Sequence, residues 1–309
     1  MTFTEIETFL TIVQTKSITK TAESLFLTQP TVSHRLKSLE TELNMQLISR
    51  KKGYKTVELT SKGEEFIPYA ERWLSLWKET KMLENSQEKM YLTVGAIDTL
   101  NSGILSNFYE QLLTNNPSLG LEVRTHQSYE IYSLLEKHDV SIGFVFHHLY
   151  FKNIISEPLF KESLYIVQPY SPFVEKKHLH TEELDSFNEL YFNWDSNYQI
   201  WHNQWIDKLS KPVLQVDTFQ MLLHFMQTGN YWMIAPTSVV RKLLEYDSWY
   251  ISKITNKPAP PKRVTYRIHH KIPSSSSAKA VTLFNEALTE YLSHIDLEEL
   301  DVTGPIKKR

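Results

Sequence analysis

Thr28-Gln29-Pro30-Thr31-Val32-Ser33-His34-Arg35-Leu36-Lys37-Ser38-Leu39-Glu40 decides how the chain begins to fold. Thr28 can cap a helix, and Pro30 is tolerated in its first turn because the amide that proline lacks would have no intrahelical partner there. Val32, Leu36, Leu39 and Leu43 recur at helical spacing and call for a core, while Gln29, Ser33, His34 and Lys37 point elsewhere near the helix start. A short, polar, donor-rich edge of this kind suits a DNA major groove, where base edges are read by hydrogen bonds.

The flanking residues extend this reading to about residue 60. Upstream, Ile6, Phe9, Leu10 and Val13 predict one amphipathic helix; Ser17 caps a second with Ile18, Ala22 and Leu25 facing inward, and Phe26 and Leu27 make a tight connection to Thr28. Two helices so joined match a helix-turn-helix. Downstream of Leu47, the stretch from Ile48 to Leu59 is a basic loop containing Gly53 between short β-favouring segments, as in a two-stranded wing. Arg35, Lys37, Arg50, Lys51, Lys52 and Lys55 face only Glu40 and Glu42 here, so the stretch is basic inside a chain whose net charge is −3. An isolated basic run reads as a solvated loop. Beside a helix pair it reads as a grip on phosphates.

Composition bounds the rest. The 309 residues are 41% hydrophobic, enough for two or three globular domains. Without cysteine there is no disulfide framework, thiolate zinc site, iron–sulfur cluster or thiol chemistry. No basic N-terminal region precedes an apolar run, and no stretch approaches the roughly 18 apolar residues of a membrane span, so a cytoplasmic protein without membrane partners is expected. The acidic total argues against non-specific coating of nucleic acid.

The N-terminal sequence resembles the LysR-type transcriptional regulators through Phe9-Leu10, Ser17, Ala22, Leu25, Thr28 to Ser33, Leu36, Leu39-Glu40, Leu43, Leu47, Arg50, Leu59-Thr60 and Gly63. The resemblance implies a winged helix-turn-helix, a linker helix that dimerises, and a C-terminal effector-binding domain of periplasmic-binding-protein type. The sequence departs from the family pattern in three places. Asn44 replaces the usual glycine, a mild change because Asn tolerates the left-handed conformation of a helix end. Ile48 and Ser49 alter the usual Leu-Phe-x-Arg ending. Tyr54 stands at a wing position that is often arginine, a contact that Lys51, Lys52 and Lys55 lie near enough to supply.

From Thr60, a plausible cap, a linker helix is expected over 61–88. Phe66, Ala70, Trp73 and Trp77 form a seam suited to a partner helix, with packing inside one chain as the plainer use of the same residues. Pro68 would bend this helix or lie in its first turns. Beyond it, strand and helix alternate. Strands are expected at Tyr91 to Ile97, Leu119 to Thr125 and Val140 to Phe146, with helices at about Gly103 to Asn115 and Tyr129 to Lys137. A second set comprises strands at Leu190 to Asn193, Val213 to Val216 and Tyr231 to Ala235, with helices over Tyr198 to Leu209 and Thr218 to Gln227. Strands at Leu164 to Gln168 and Val264 to His269 cross between the lobes, and Ala280 to His294 is a closing helix. The fold class is α+β: a winged helix-turn-helix domain (1–60) and linker helix joined to a two-lobed parallel α/β domain (89–309), with lobe I near 89–162 and 267–295 and lobe II near 163–266.

Ligands of such sheets lie beyond the strand carboxyl ends, where helix N-termini offer free amides. Those positions are Asp98, Thr99, Leu100, Asn101, Ser102, Gln127, Ser128 and His147 in one lobe, and Asn193, Trp194, Asp217, Thr218 and Phe219 in the other. In the family this resembles, the first loop carries Ser or Thr that hydrogen-bond an anionic effector. Asp98 departs from that habit. A fixed carboxylate there favours an effector that is neutral or carries an amino group, unless Asp98 simply caps the helix that follows.

Other constellations carry less. His147-His148 and His269-His270 are adjacent on strands, so their rings face opposite sides, which disfavours a shared metal. Tyr198, Trp201 and Trp205 on one helix face read as core. Ser274 to Ser277 is a polar loop, and Lys307-Lys308-Arg309 a basic tail. No cofactor motif, Gly-x-Ser-x-Gly, Walker glycine loop or HExxH occurs.

The reading that follows is a sequence-specific DNA-binding regulator and not an enzyme. Gln29 and Pro30 would meet base edges, Ser33 and His34 would add readout, Thr31, Arg35, Lys37 and the wing would hold phosphates, and Arg50 would enter the minor groove. Expected partners are promoter duplex DNA, a small-molecule effector, further copies of the chain in a dimer or tetramer, and RNA polymerase for an activator. The competing class is a small-molecule binding protein or enzyme with an N-terminal helical interaction domain.

Overall fold

A computed structural model describes residues 1–49, 57–84, 90–170, 177–205, 212–272, 277–300 and 304–306. Arg50, Lys51, Lys52, Tyr54, Lys55, most of the Ser274 to Ser277 loop and Lys307 to Arg309 therefore lie outside the described residues. The chain divides into two compact units: Met1–Glu88 with the short segment Lys137–Asp139, and Lys89–Glu136 with Val140–Arg309.

In the first unit, helix α1 (Phe3–Thr15) starts in a capping box, the Thr2 hydroxyl accepting from the Glu5 amide while the Glu5 carboxylate accepts from the Thr2 amide at 2.7 Å. Ser17 caps α2 (Ile18–Ser24) and Thr28 caps α3 (Gln29–Leu43), as their positions ahead of apolar periodic runs require. Phe26, at φ 55°, turns the chain between them and leaves its ring 96% exposed. Asn44 ends α3 in the left-handed conformation expected of it. Ile6, Phe9, Ile12, Ala22, Val32, Leu36, Leu39, Leu47 and Ile48 form the core, so the apolar faces read from the sequence meet one another. A two-residue antiparallel pair, β1 (Ile48–Ser49) with β2 (Glu58–Leu59), flanks the stretch expected to form the wing, and Glu40 fixes its start by accepting from the Leu47 and Ile48 amides at 2.8 and 3.1 Å.

Helix α4 (Ser61–Glu84) follows Thr60, whose hydroxyl accepts from the Gly63 amide at 3.0 Å and donates to the Gln46 carbonyl. Gly63 is required by close approach: a Cβ there would stand 2.1 Å from the Leu47 carbonyl oxygen. Pro68 lies inside the helix, beyond its first turns, where its missing amide leaves one intrahelical bond unmade. Most of the seam expected to meet a partner packs within the chain. Ala70 is fully buried in the first unit's core, Phe66 packs on Phe9 with ring centroids 5.5 Å apart, and Trp73 stacks on Trp77, which reaches Phe3. A long helix next to a small three-helix core covers that core first, because α1 offers an apolar face that nothing else fills. Tyr69 (70% exposed), Leu76 (50%) and Trp77 (39%) remain outward.

The second unit holds two lobes. Chain order runs β3 (Met90–Ala96), α5 (Asp98–Leu100), a π-helical turn (Asn101–Leu105), α6 (Ser106–Asn115), β4 (Leu119–Thr125), α7 (Ser128–Glu136), β5 (Ile142–Val145) and β6 (Ile154–Glu162). It continues through β7 (Leu164–Pro169), β8 (His178–Leu179), β9 (Leu190–Phe192), α8 (Ser196–Trp205), β10 (Leu214–Val216), α9 (Phe219–Thr228), β11 (Met233–Pro236), α10 (Thr237–Tyr246) and β12 (Trp249–Ile254). Then come β13 (Arg263–His270), α11 (Ala278–Ser293) and β14 (Gly304–Ile306).

Lobe I has the sheet order β4-β3-β5-β13-β6, parallel across β4, β3 and β5 but antiparallel where β13 joins β5 and β6. In lobe II, β11, β7 and β12 pair antiparallel; a bridge between Glu189 and Trp232 ties the parallel β9–β10 pair to the start of β11. The expected all-parallel sheets are thus mixed. Strands that return from the other lobe enter from the opposite end and must run antiparallel. The helix expected from Gly103 begins at Asp98. The second crossing falls just before Arg263, a few residues ahead of 267, and β14 returns to the edge of lobe II beside β12. Tyr198 and Trp201 are core residues, as their helical spacing predicts.

Two polar surfaces: a helix edge and an interlobe cleft

The leading edge of α3 is short and accessible. Thr28, Gln29, Pro30, His34 and Lys37 are exposed, and Thr31, Ser33 and Arg35 half-buried, on the helix side away from the buried Val32, Leu36 and Leu39. Gln29, Ser33 and Lys37 follow at intervals of four and share one face. The Thr28 hydroxyl lies 2.8 Å from that of Thr31, and the Thr31 amide donates to Thr28, so the first turn is held from within. Arg35 leans back, its guanidinium donating to the Thr8 hydroxyl at 3.4 Å. The helix packs on α1, where the Ser38 hydroxyl donates to Glu5 at 2.5 Å; that hydrogen bond, aided by the one from the Thr2 amide and opposed by burial, holds the Glu5 carboxyl below its usual range.

In the second unit a cavity of about 510 Å³ opens between the lobes. Of the residues expected there, Asp98, Thr99, Gln127, Ser128, His147, Asn193, Trp194 and Asp217 line it. Five do not. Leu100 is fully buried in the lobe I core, and Phe219 lies in that of lobe II. Asn101 turns inward, its amide donating to Thr125 and the Arg124 carbonyl while its oxygen accepts from the Tyr109 hydroxyl. Ser102 donates back to Asp98, and Thr218 caps α9. A helix running straight on from the strand explains this: only its first residues face the cleft, and the next turn faces the core. Ile97, Tyr129, Phe146, Phe192, Asp195, Ser196, Gln215 and Val216 complete the lining without having been singled out from the sequence.

Helix starts around the cavity are met by the chain's own carboxylates. Asp98 does not cap the helix it begins, whose cap position is Ile97 without a side-chain bond. Its Oδ2 instead accepts from the Phe219 amide at 2.5 Å, spanning the lobes to the N-terminus of α9. Asp195 accepts from the Tyr198 amide at 2.8 Å, and Glu130 from the Gln127 amide at 3.0 Å. The Thr99 hydroxyl is buried and has no hydrogen-bond partner among the described residues. His147 Nδ1 lies 3.3 Å from Ser128 Oγ, whereas His148 Nδ1 lies 3.0 Å from Ser156 Oγ, so the neighbouring rings engage different partners.

Behind the cleft, the two interlobe crossings are joined by a buried ion pair. Glu162, the last residue of β6, accepts from Arg263, the first of β13, at 2.6 and 3.0 Å, and its other oxygen accepts from the Ser238 amide at the start of α10. The guanidinium lies 4.3 Å from the Phe146 ring centre and 5.2 Å from that of Trp194, two walls of the cavity. Neither partner signals this role in sequence, since the residues that meet are a hundred positions apart.

Comparison with known proteins covers both parts of the chain that carry these surfaces. Residues 3–64 match the model of the bacterial regulatory helix-turn-helix protein, lysR family, and residues 85–292 match that of the LysR substrate binding domain. A probable RuBisCO transcriptional regulator from Phaeodactylum tricornutum is 26% identical over 255 residues, covering 78% of this chain and 82% of that protein. The HTH-type transcriptional regulator HdfR of Yersinia enterocolitica is 35% identical over 120 residues, 38% of this chain and 40% of its own length. A full-length OxyR variant from Pseudomonas aeruginosa has a similar fold, with a TM-score of 0.61 over 93% of this chain and 94% of that one at 20% identity.

Proposed function

The chain belongs to the LysR family of DNA-binding transcriptional regulators with an effector-binding domain, and from that premise we propose how it reads DNA and how it is controlled. The edge of α3 enters the major groove. Gln29 and Pro30 meet base edges, Pro30 through thymine methyls; Ser33 and His34 add readout; Thr31, Arg35 and Lys37 hold phosphates. The observation that carries this reading is the division of α3, with Gln29, His34 and Lys37 exposed and Val32 and Leu39 fully buried opposite them. The basic residues Arg50, Lys51, Lys52 and Lys55 of the wing add backbone and minor-groove contacts.

An effector in the interlobe cleft controls this activity, and the protein acts as a homodimer or tetramer in the cytoplasm, engaging RNA polymerase where it activates. Since the seam of Phe66, Ala70 and Trp73 is covered by α1, the dimer contact on α4 is assigned to Tyr69 and Leu76, one heptad apart and both exposed. Two recognition helices then face half-sites about one helical turn apart, giving an imperfect palindrome.

Footprinting and fluorescence anisotropy of the full-length protein on the DNA upstream of its own gene test this reading. A protected, dyad-symmetric site is expected, with His34→Ala changing the base preference within it. Equal affinity for that DNA and for random duplex would overturn it.

A further inference from the structure

We infer that the interlobe cleft accepts a small molecule presenting a protonated amine, not a carboxylate. This rests on reading the cleft as the effector site. A cavity lined by helix N-termini ordinarily suits an anion, because their free amides and aligned peptide dipoles favour negative charge. Here the chain has already supplied the anions. Asp98 takes the Phe219 amide at the start of α9, Asp195 takes the Tyr198 amide in the first turn of α8, and Glu130 takes the Gln127 amide at the start of α7. An incoming carboxylate would find those amides in use and the carboxylates of Asp98, Asp195 and Asp217 around it, in a concave site where repulsion is less screened than in bulk water.

Among the described residues no lysine or arginine lines the cavity. The guanidinium of Arg263 lies behind the Phe146 and Trp194 rings, and its charge is matched by Glu162 in a pair buried to 1% and 0% exposure. Its Nη1 is buried without a hydrogen-bond partner among the described residues, but with its charge paired the group offers no net positive charge to the cleft.

What remains unused matches an ammonium group. Asp217 lines the cavity, is exposed, and has no hydrogen bond or ion pair among the described residues. Thr99 borders the same space, is only 1% exposed, and its hydroxyl has no partner among the described residues. A buried hydroxyl left unpaired is costly; it can accept from an N–H or donate to an oxygen, so it favours a polar group without choosing its charge, and Asp217 makes that choice. Phe192 and Trp194, stacked with centroids 4.4 Å apart, together with Phe146 and Tyr129 offer an apolar and aromatic wall for the body of the molecule.

Two matched sets of probes test the assignment on the full-length protein by calorimetric titration and thermal shift: phenethylamine, phenethyl alcohol and hydrocinnamate, and putrescine, butanediol and succinate. At least one amine should bind at millimolar concentration and raise the melting temperature, its alcohol and carboxylate counterparts should bind more weakly, and Asp217→Asn should weaken the amine several-fold. Asp217 is exposed, so this variant keeps the fold. A carboxylate that binds more tightly than its amine, an amine indifferent to Asp217→Asn, or no amine binding at all overturns the proposal.

Asn193→Trp and Gln215→Trp, which fill the cleft from exposed wall positions, separate this failure from that of the underlying reading. Carboxylate binding lost in both variants leaves the cleft as the effector site and refutes the amine. Amine binding that survives both places the ligand elsewhere and refutes the cleft itself.

Discussion

The α3 edge and the interlobe cleft are both polar surfaces backed by buried apolar side chains, but they are assembled differently. Gln29, Ser33 and Lys37 become neighbours as soon as one helix forms, because residues four apart share a face. Thr99, Ser128, Trp194 and Asp217 become neighbours only after two sheets have formed and the chain has crossed between them twice. Local assembly makes the first surface insensitive to events elsewhere. The second depends on a few distant contacts, above all Glu162 with Arg263.

The largest effect that could break this contrast is Arg263→Met. Removing one member of a buried ion pair leaves Glu162 uncompensated, at a cost of about 3–5 kcal/mol. Hydrogen exchange on the full-length protein should show the second unit losing protection while α1 to α3 keep theirs; uniform loss across both units would show that the two are not independent. Gly63→Ala is the counterpart in the first unit. Its methyl would overlap the Leu47 carbonyl oxygen, and overpacking of this kind costs up to about 3 kcal/mol, read as a lower denaturation midpoint for the first unit with effector-domain stability unchanged. An unaffected midpoint would mean that α4 shifts freely beside the β1–β2 pair.

Function at the α3 edge is sharpened by two substitutions that should differ in kind. Gln29→Ala should cost about 1–3 kcal/mol of discrimination at one base pair and little affinity for random DNA. Lys37→Ala should weaken all sequences alike and lower the salt slope by about 1. Equal losses for both on specific and random duplex would remove the division of labour between base and backbone contacts.

The smallest effect expected concerns the α1–α3 contact. The Glu5 carboxyl is held below its ordinary value of 4.5, so its contribution to stability is present above about that pH and is lost as pH falls through the lowered value. Ser38→Ala should therefore cost about 1–2 kcal/mol near neutrality, and the gap in melting temperature from the parent should close in acid. A gap that stays constant with pH would show that packing, and not the hydrogen bond to the carboxylate, is what Ser38 contributes.

Legibility from the sequence follows the same division. The caps at Ser17 and Thr28, the left-handed Asn44 and the buried stripe of Val32, Leu36 and Leu39 were readable because each depends on residues within a few positions. At the cleft, the second and third residues after β3 were readable and the fourth and fifth were not: Asp98 and Thr99 face the cavity, while Leu100 and Asn101 have turned to the core. Asp98 carries the sharpest lesson. Its departure from the family's Ser or Thr pointed to an unusual ligand, with a helix cap as the plainer reading. It does act at a helix start, but the helix belongs to the other lobe. The aromatic seam of α4 shows the reverse case. Spacing identified Phe66, Ala70 and Trp73 as one apolar face, yet spacing contains nothing to say which surface would cover it.

Sequence alone determined the helix-turn-helix, the polar edge of α3, the two-lobed alternation of strand and helix, and the family to which these belong, since periodicity and capping are short-range properties of the backbone. Only the tertiary structure decided that α1 takes the α4 seam, that β13 and β6 run antiparallel across the crossings, and that Asp98 spans the cleft to Phe219. Those outcomes depend on which distant surfaces meet, and burial and pairing energies between segments a hundred residues apart leave no periodic mark in the chain.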